Sequence, residues 1–231
     1  MSKRVLIIAA HPDDEVLGCG GSMARHAKAG DHVYAVILAE GITSRYDQRD
    51  RDRQASELSE LGQIAHRAND ILGVKELVLH DFPDNRMDSL DRLDIVKVVE
   101  ELLVRFSPEV VYTHHAGDVN IDHRRIHEAV ITAVRPMPDR HLVKQLLFFE
   151  VASSTEWQPP GSATPFTPNW FVDISTTLEQ KLDALEAYAS EMREWPHARS
   201  IKAVEHLARW RGSNIGVPAA EAFMLGRKLV L

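Results

Sequence analysis

The chain reads as an α/β protein: a Rossmann-like, mostly parallel sheet flanked by helices, with its chemistry at the carboxyl ends of the strands. Three observations predict this. Short apolar runs alternate with longer helical patterns, as in successive βαβ units. The runs are continuous rather than alternating, as expected of strands buried on both faces. Two of them, VLIIAA and EVVYTHH, run directly into histidines and acids, and ligands of parallel sheets bind at the carboxyl ends of strands.

The first strand is expected over about residues 4–10, and a helix over about 15–29 that Gly30 ends. HVYAVILAE is the second strand, and a long polar, mostly helical stretch covers about 48–72. Its start, RYDQRDRDRQ, reads as a solvated face or loop, or else as a rim where Arg49, Arg51 or Arg53 meets an anionic part of a ligand. ELVLHD is the third strand, followed by the turn signal FPDNRMD. A helix over about 89–106 ends before Pro108, EVVYTH is the fourth strand, and a helix spans about 123–135. QLLFFEV is the fifth strand. SSTEWQPPGSATPFTPNW is a crossover or a lid, in which Trp157 and Trp170 read as packing residues before sugar platforms. Helices are expected over about 175–193 and from PHARS to about 211, where His197 and Arg199 either cap the helix or reach the site. The closing AEAF places Glu221 on a short helix.

Composition bounds the function. The 231 residues, 44% hydrophobic, fit one domain over 1–231 with a full core. A net charge of -7 argues against a nucleic-acid partner. The single cysteine, Cys19, excludes an internal disulfide framework and reads as a small buried residue rather than a ligand. MSKR before VLIIAA faintly resembles a signal peptide, but HPDDE interrupts it at once. No segment approaches the roughly 18 apolar residues of a membrane span. A soluble, cytoplasmic protein is expected, with a homo-oligomer compatible with the sequence.

The tetrad His11-Pro12-Asp13-Asp14 carries the strongest chemical signal. Adjacent carboxylates cannot point the same way, so one can bind a metal while the other faces its water. A plainer reading makes Asp13 or Asp14 the N-cap of the next helix. A second cluster favours the metal: AGDVNIDHRRIHEAV follows the fourth strand and opens a helix at Asp122-His123. His11, Asp14 and His123 make a two-histidine, one-carboxylate set, which leaves a position for water as catalytic zinc sites do. One zinc ion per chain is expected; iron or cobalt suits the same ligands.

These motifs resemble those of the PIG-L / LmbE-like zinc N-deacetylases, which carry AHPDDE after the first strand and an HxDH-type motif after a later one. Here the first motif is Ala10–Glu15, and the likeness runs through Gly20-Gly21, AEG at 39–41, LGV at 72–74 and SPEVVYTHH, then weakly into the last third. The resemblance implies removal of an acetyl group from an N-acetylglucosamine-type sugar or conjugate, which could be nucleotide- or lipid-linked. It implies His11, Asp14 and His123 as zinc ligands, Asp13 as general base, and Asp122 as support for the metal site. It makes Asp84 a candidate near the sugar. Many members have an oxyanion-stabilising histidine where this chain has Asn120. An amide can donate to an oxyanion but carries no proton. Asn120 does part of that work, or His114, His115 or His127 supplies it.

Three rivals remain in view. An amidase of another conjugate, such as a thiol conjugate, differs only in substrate. A non-catalytic metal- or sugar-binding relative fits the missing histidine but leaves Asp13 without a task. A nucleotide-binding oxidoreductase fits the first strand and helix, yet Gly18-Cys19-Gly20-Gly21 is not GxGxxG and acids occupy the phosphate-facing turn.

Overall fold

The computed structural model describes residues 2–138 and 142–230. After Arg4, every residue of the first strand, β1 (Arg4–Ala9), is buried. Val5, Ile7 and Ala9 join the core on one side of the sheet, and Leu6, Ile8 and Ala10 join the core on the other. That is the two-residue repeat of a strand covered on both faces. The chain continues through α1 (Asp14–Lys28), β2 (His32–Ala39), α2 (Ala55–Leu72), β3 (Glu76–Phe82), α3 (Arg92–Phe106), β4 (Val110–His114) and α4 (Ile121–Ala133). It ends with β5 (Gln145–Phe149), β6 (Trp170–Asp173), α5 (Leu178–Ala187), α6 (Ile201–Ser213) and β7 (Ala220–Lys228).

Among the described residues, these strands form one sheet in the order β3-β2-β1-β4-β5-β7-β6. Pairing is parallel from β3 to β5, and β7 runs antiparallel to both its neighbours. Helices α1, α2, α5 and α6 contribute to one core, α3 and α4 to the other. Val5 lies between Val33 of β2 and Val110 of β4. The chain first winds outward through β2 and β3 and then returns to the far side of β1. The crevice beyond the carboxyl ends of β1 and β4 is therefore the switch point at which such sheets bind ligands.

The last third departs from the sequence reading. AEAF is no short helix: Ala220–Asp173 and Phe223–Trp170 pair β7 with β6, and Phe223 also pairs with Phe149 of β5. Alanine, glutamate, methionine and leucine favour helix, but a buried slot between two strands overrides local propensity. β6 lies where no separate strand was expected, and α5 stops at Ala187 rather than near 193. The turns that follow it carry residues into the site. The charged run before α2 is not helical; the helix begins at Ala55.

Helix α1 bends at Cys19 (φ -149, ψ 21). The bend frees backbone donors, and Glu221 accepts from Gly21 N (2.9 Å) and Ser22 N (2.7 Å) while pairing with Lys181 Nζ (2.6 Å). A Cβ on Gly18 would lie 2.4 Å from the Phe149 ring, and one on Gly21 2.7 Å from Ile174. The glycines after the tetrad thus permit close packing of the bent helix, not phosphate binding.

Candidate metal centre and active site

The site grows from the two strand ends. Ala10 N beyond β1 donates to His114 Nε2 at the end of β4 (2.8 Å), which ties the strand ends together. His114 is fully buried, and its ring stacks on His123 with centroids 3.9 Å apart. Burial, reinforced by His123, holds its pKa well below the ordinary value. It is a neutral strut behind the site.

The turn after His11 separates the two carboxylates. Asp13 has φ 112, a conformation that costs a non-glycine residue about 1–3 kcal/mol. Its N–H donates to Glu15 Oε2 (3.1 Å), and Glu15 Oε1 accepts from Asn69 Nδ2 (2.9 Å) and Tyr188 Oη (2.7 Å). Burial pushes the Glu15 pKa up to about 7. This bracket holds the strained turn. Neither Asp13 nor Asp14 caps α1 by its own side chain. Asp13 Oδ2 reaches Arg199 Nη1 (3.1 Å), while Asp14 Oδ2 lies 3.1 Å from His11 Nδ1 and 3.0 Å from His123 Nε2.

Electrostatics differ between the neighbours. Burial opposes the Asp14 charge, yet His123 and His11 hold its pKa well below the usual carboxylate range. Burial pushes Asp13 well above that range, and Arg199 offsets it only in part. Burial opposes charge on His123, but Asp14 and Asp118 raise its pKa to about 9. His11 is likewise raised, against burial, by Asp122, Asp14 and Asp84.

The donor set fits a metal ion. His11, Asp14 and His123 offer ligand atoms that all lie within 4.8 Å of one another. Two imidazole nitrogens converge on one carboxylate oxygen, where a shared cation suits all three. The far ring nitrogens face acids, as ligating histidines commonly do. His11 Nε2 donates to Asp122 Oδ2 (3.0 Å) and lies 3.3 Å from Asp84 Oδ1. His123 Nδ1 lies 3.1 Å from Asp118 Oδ2, too oblique for a regular hydrogen bond. A second group that could hold an ion, His11, Asp84 and Asp122, uses the His11 nitrogen that supports the first.

Helix α4 presents the second motif. Asn120 is its N-cap, accepting from Asp122 N through Oδ1 (2.8 Å). Asn120 Nδ2 donates to Asn85 Oδ1 (2.9 Å), which leaves one amide hydrogen. Asp122 is fixed by Asn85 N (2.6 Å) and Met87 N (2.9 Å). Asp118 accepts from Asn120 N (2.8 Å), Thr155 Oγ1 (2.8 Å) and Ser154 Oγ.

A cavity of about 210 Å³ opens onto this cluster. His11, Asp13, Asp14, Asp84, Asn120 and His123 line one side. Burial opposes the Asp84 charge, but His11 and Ser44 lower its pKa to about 2. Arg45, Glu191, Arg193 and Arg199 line the other side. Arg53 is elsewhere, in a surface cleft with Tyr46 and Glu57. His115 donates to Thr164 O (2.8 Å) and His127 to His114 O (2.9 Å); neither lines the cavity. Arg49 and Arg51 pair with Glu40 at 2.6 and 2.9 Å. Trp157 is exposed, and Trp170 belongs to β6.

Sequence reasoning missed Asp118, Asn85, Arg45, Glu191 and Arg193. Asp118 had a signal, an acid in the turn between a strand-end histidine pair and the next motif. The others had none beyond ordinary turn composition.

Comparison with known proteins agrees with the two motifs. The family described as GlcNAc-PI de-N-acetylase, PIG-L, matches residues 6–134, a span that holds every residue of the metal cluster. The chain belongs to the PIG-L family. Among its relatives, the uncharacterized deacetylase YaiS of Escherichia coli (strain K12) is 31% identical over 194 residues, 81% of this chain and 91% of that protein. The diacetylchitobiose deacetylase of Thermococcus kodakarensis is 29% identical over 213 residues, 86% of this chain and 76% of that protein. The structure of N,N'-diacetylchitobiose deacetylase from Pyrococcus horikoshii matches with a TM-score of 0.77 at 21% identity, covering 97% of this chain and 84% of that one. At that identity the likeness is one of fold. Among the described residues, no helix is long and apolar enough to cross a membrane.

Proposed function

We propose that this PIG-L protein is a zinc-dependent N-deacetylase that hydrolyses the acetamide of an N-acetylated amino sugar or its conjugate, the whole chain serving as one catalytic domain. The observation that carries the reading is the divergence of two adjacent acids. Asp14 closes a two-histidine ligand set, and Asp13 is held away from it in the same cavity.

His11, Asp14 and His123 hold the ion, with Asp122 and Asp118 orienting the two imidazoles. When bound, zinc supplies Lewis acidity, polarising the acetyl carbonyl and lowering the pKa of a water from 15.7 toward roughly 7. Asp13 accepts a proton from the attacking water as the new C–O bond forms at the acetyl carbon. It returns that proton to the sugar nitrogen as the C–N bond breaks, leaving acetate and a free amine. A single carboxylate serves as base and then acid. Its burial suits this, because desolvation favours the protonated form it must adopt midway. Arg199 fixes the Asp13 carboxylate and favours its charged form, the form that accepts the proton. The remaining Asn120 amide hydrogen is placed to donate to the developing oxyanion.

The test is chemical. The purified protein, loaded with zinc, is incubated with a panel of N-acetylated sugars, sugar phosphates and sugar nucleotides, and amine and acetate are both measured. Equimolar release is expected, abolished by a chelator and restored by zinc. If no member of the panel yields amine, the deacetylase reading fails.

A further inference from the structure

Asp13 stands at φ 112 and ψ -30, a conformation that a non-glycine residue keeps only when its surroundings hold it there. Its carbonyl accepts from Val16 N (3.1 Å) and Leu17 N (2.8 Å), the ordinary bonds of a residue just before a helix. The distinctive contact is made by its N–H, which donates to Glu15 Oε2 (3.1 Å).

Glu15 is fully buried, and no described cation pairs with it. Three neutral donors hold it instead: the Asp13 N–H, Asn69 Nδ2 (2.9 Å) from α2 and Tyr188 Oη (2.7 Å) at the end of α5. A buried carboxylate is tolerated only while its hydrogen bonds are in place, so each donor depends on the others. Asn69 also donates from Nδ2 to Ala65 O of its own helix (2.9 Å). Tyr188 has one hydroxyl proton, and it goes to Glu15.

Tyr188 is itself fixed. Its side chain is wholly buried in the core that covers α1. Its carbonyl accepts from Glu191 N (2.8 Å) and Met192 N (3.2 Å), at the start of the turns that form the far wall of the cavity. One residue thus grips the Asp13 turn through its side chain and the facing wall through its backbone. It does not line the cavity.

Building on the deacetylase reading, we propose that Tyr188 is a positioning residue for Asp13, acting through Glu15. Its hydroxyl holds the left-handed turn and so keeps the Asp13 carboxylate out of the ligand set and in the cavity.

Tyr188→Phe removes the hydroxyl and leaves the ring to fill the core. The test uses zinc-loaded protein and an N-acetylated sugar that the wild type turns over. The variant should lower kcat by roughly 10–100-fold, as expected of a base displaced by up to about 1 Å, with KM and zinc content unchanged. In an Asp13→Asn background the same substitution should lower kcat no further, because the group it positions is gone. A merely structural role would lower kcat in both backgrounds alike. That result, or an unchanged kcat in Tyr188→Phe, would overturn the role of Tyr188. A second readout needs no substrate. Amide exchange of Asp13, followed by NMR, should quicken by roughly 10–100-fold in Tyr188→Phe relative to Leu6 and Ile8 of β1. Unchanged relative exchange would overturn the hold on the turn. If the wild type turns over no sugar while the exchange effect is present, the deacetylase reading fails and the hold of Tyr188 on the turn stands.

Discussion

Residues 10–14 and 118–123 leave the ends of β1 and β4, whereas Glu191, Arg193 and Arg199 come from the turns between α5 and α6. The first wall is built from side chains whose positions follow from neighbouring parallel strands. Ala10 is bonded to His114, and Asp122 is bonded to His11, so each motif locks the other. The second wall depends on a tertiary closure. Arg199 reaches Asp13 across 186 residues of sequence, and Arg45 reaches Glu191 across 146. The chemistry of the first wall is thus set by the sheet. The second wall sets the surroundings of Asp13, whose burial Arg199 offsets in part.

This contrast can be broken by substitution, and the largest effect belongs to the strand ends. His11→Ala and His123→Ala should each lower metal content from about one ion per chain to near none by elemental analysis, since two ligands cannot hold a site built for three. Full occupancy in both variants would remove the assignment. The same titration has a pH sign. In the metal-free protein Asp14 and Asp118 raise His123 to about 9. The stabilisation from this charged pair is complete below the unfolded value near 6.5 and is lost as pH rises through about 9. Metal needs the neutral ring, so uptake should strengthen as pH rises toward 9, with release of a proton. Pairing by a protonated His123 would be excluded by metal affinity that is flat over that window.

Next comes a pair of variants that sets one wall against the other. Asp13→Asn should keep the metal and lower kcat by about 10²–10⁴-fold. Arg199→Gln should also keep it, with a smaller loss of roughly 10–100-fold, because the base survives but is no longer held. Equal losses would mean that the closing turns carry as much of the chemistry as the strand ends.

The smallest effect sharpens the role of Asn120. Asn120→Ala removes the α4 cap, which is worth about 1 kcal/mol, a fall in Tm of roughly 2–4 °C. If its spare amide hydrogen also serves the oxyanion, kcat should fall more than KM rises. A loss of stability with kcat unchanged would leave Asn120 as a cap alone.

The central strands were legible because burial on both faces demands continuous apolar sequence, as in VLIIA and VVYTH. The meeting of His11, Asp14 and His123 was legible for a related reason: parallel strands place their carboxyl ends side by side, so histidines and acids at two such ends meet. Arg53, His115 and His127 show the limit. Arg53 lines a separate surface cleft, and His115 and His127 donate to main-chain carbonyls. Composition does not say which way a side chain faces once its helix or loop is packed.

By itself, then, the sequence determined the parallel core, the two strand-end motifs and the residues that could hold a metal, because local hydrophobic pattern and strand-end chemistry are properties of short segments. Tertiary structure decided that AEAF is a strand, that Asp13 and Asp14 diverge, and that Arg199 meets Asp13. Those outcomes depend on contacts between segments far apart in the chain, whose energies exist only once the sheet has closed around them.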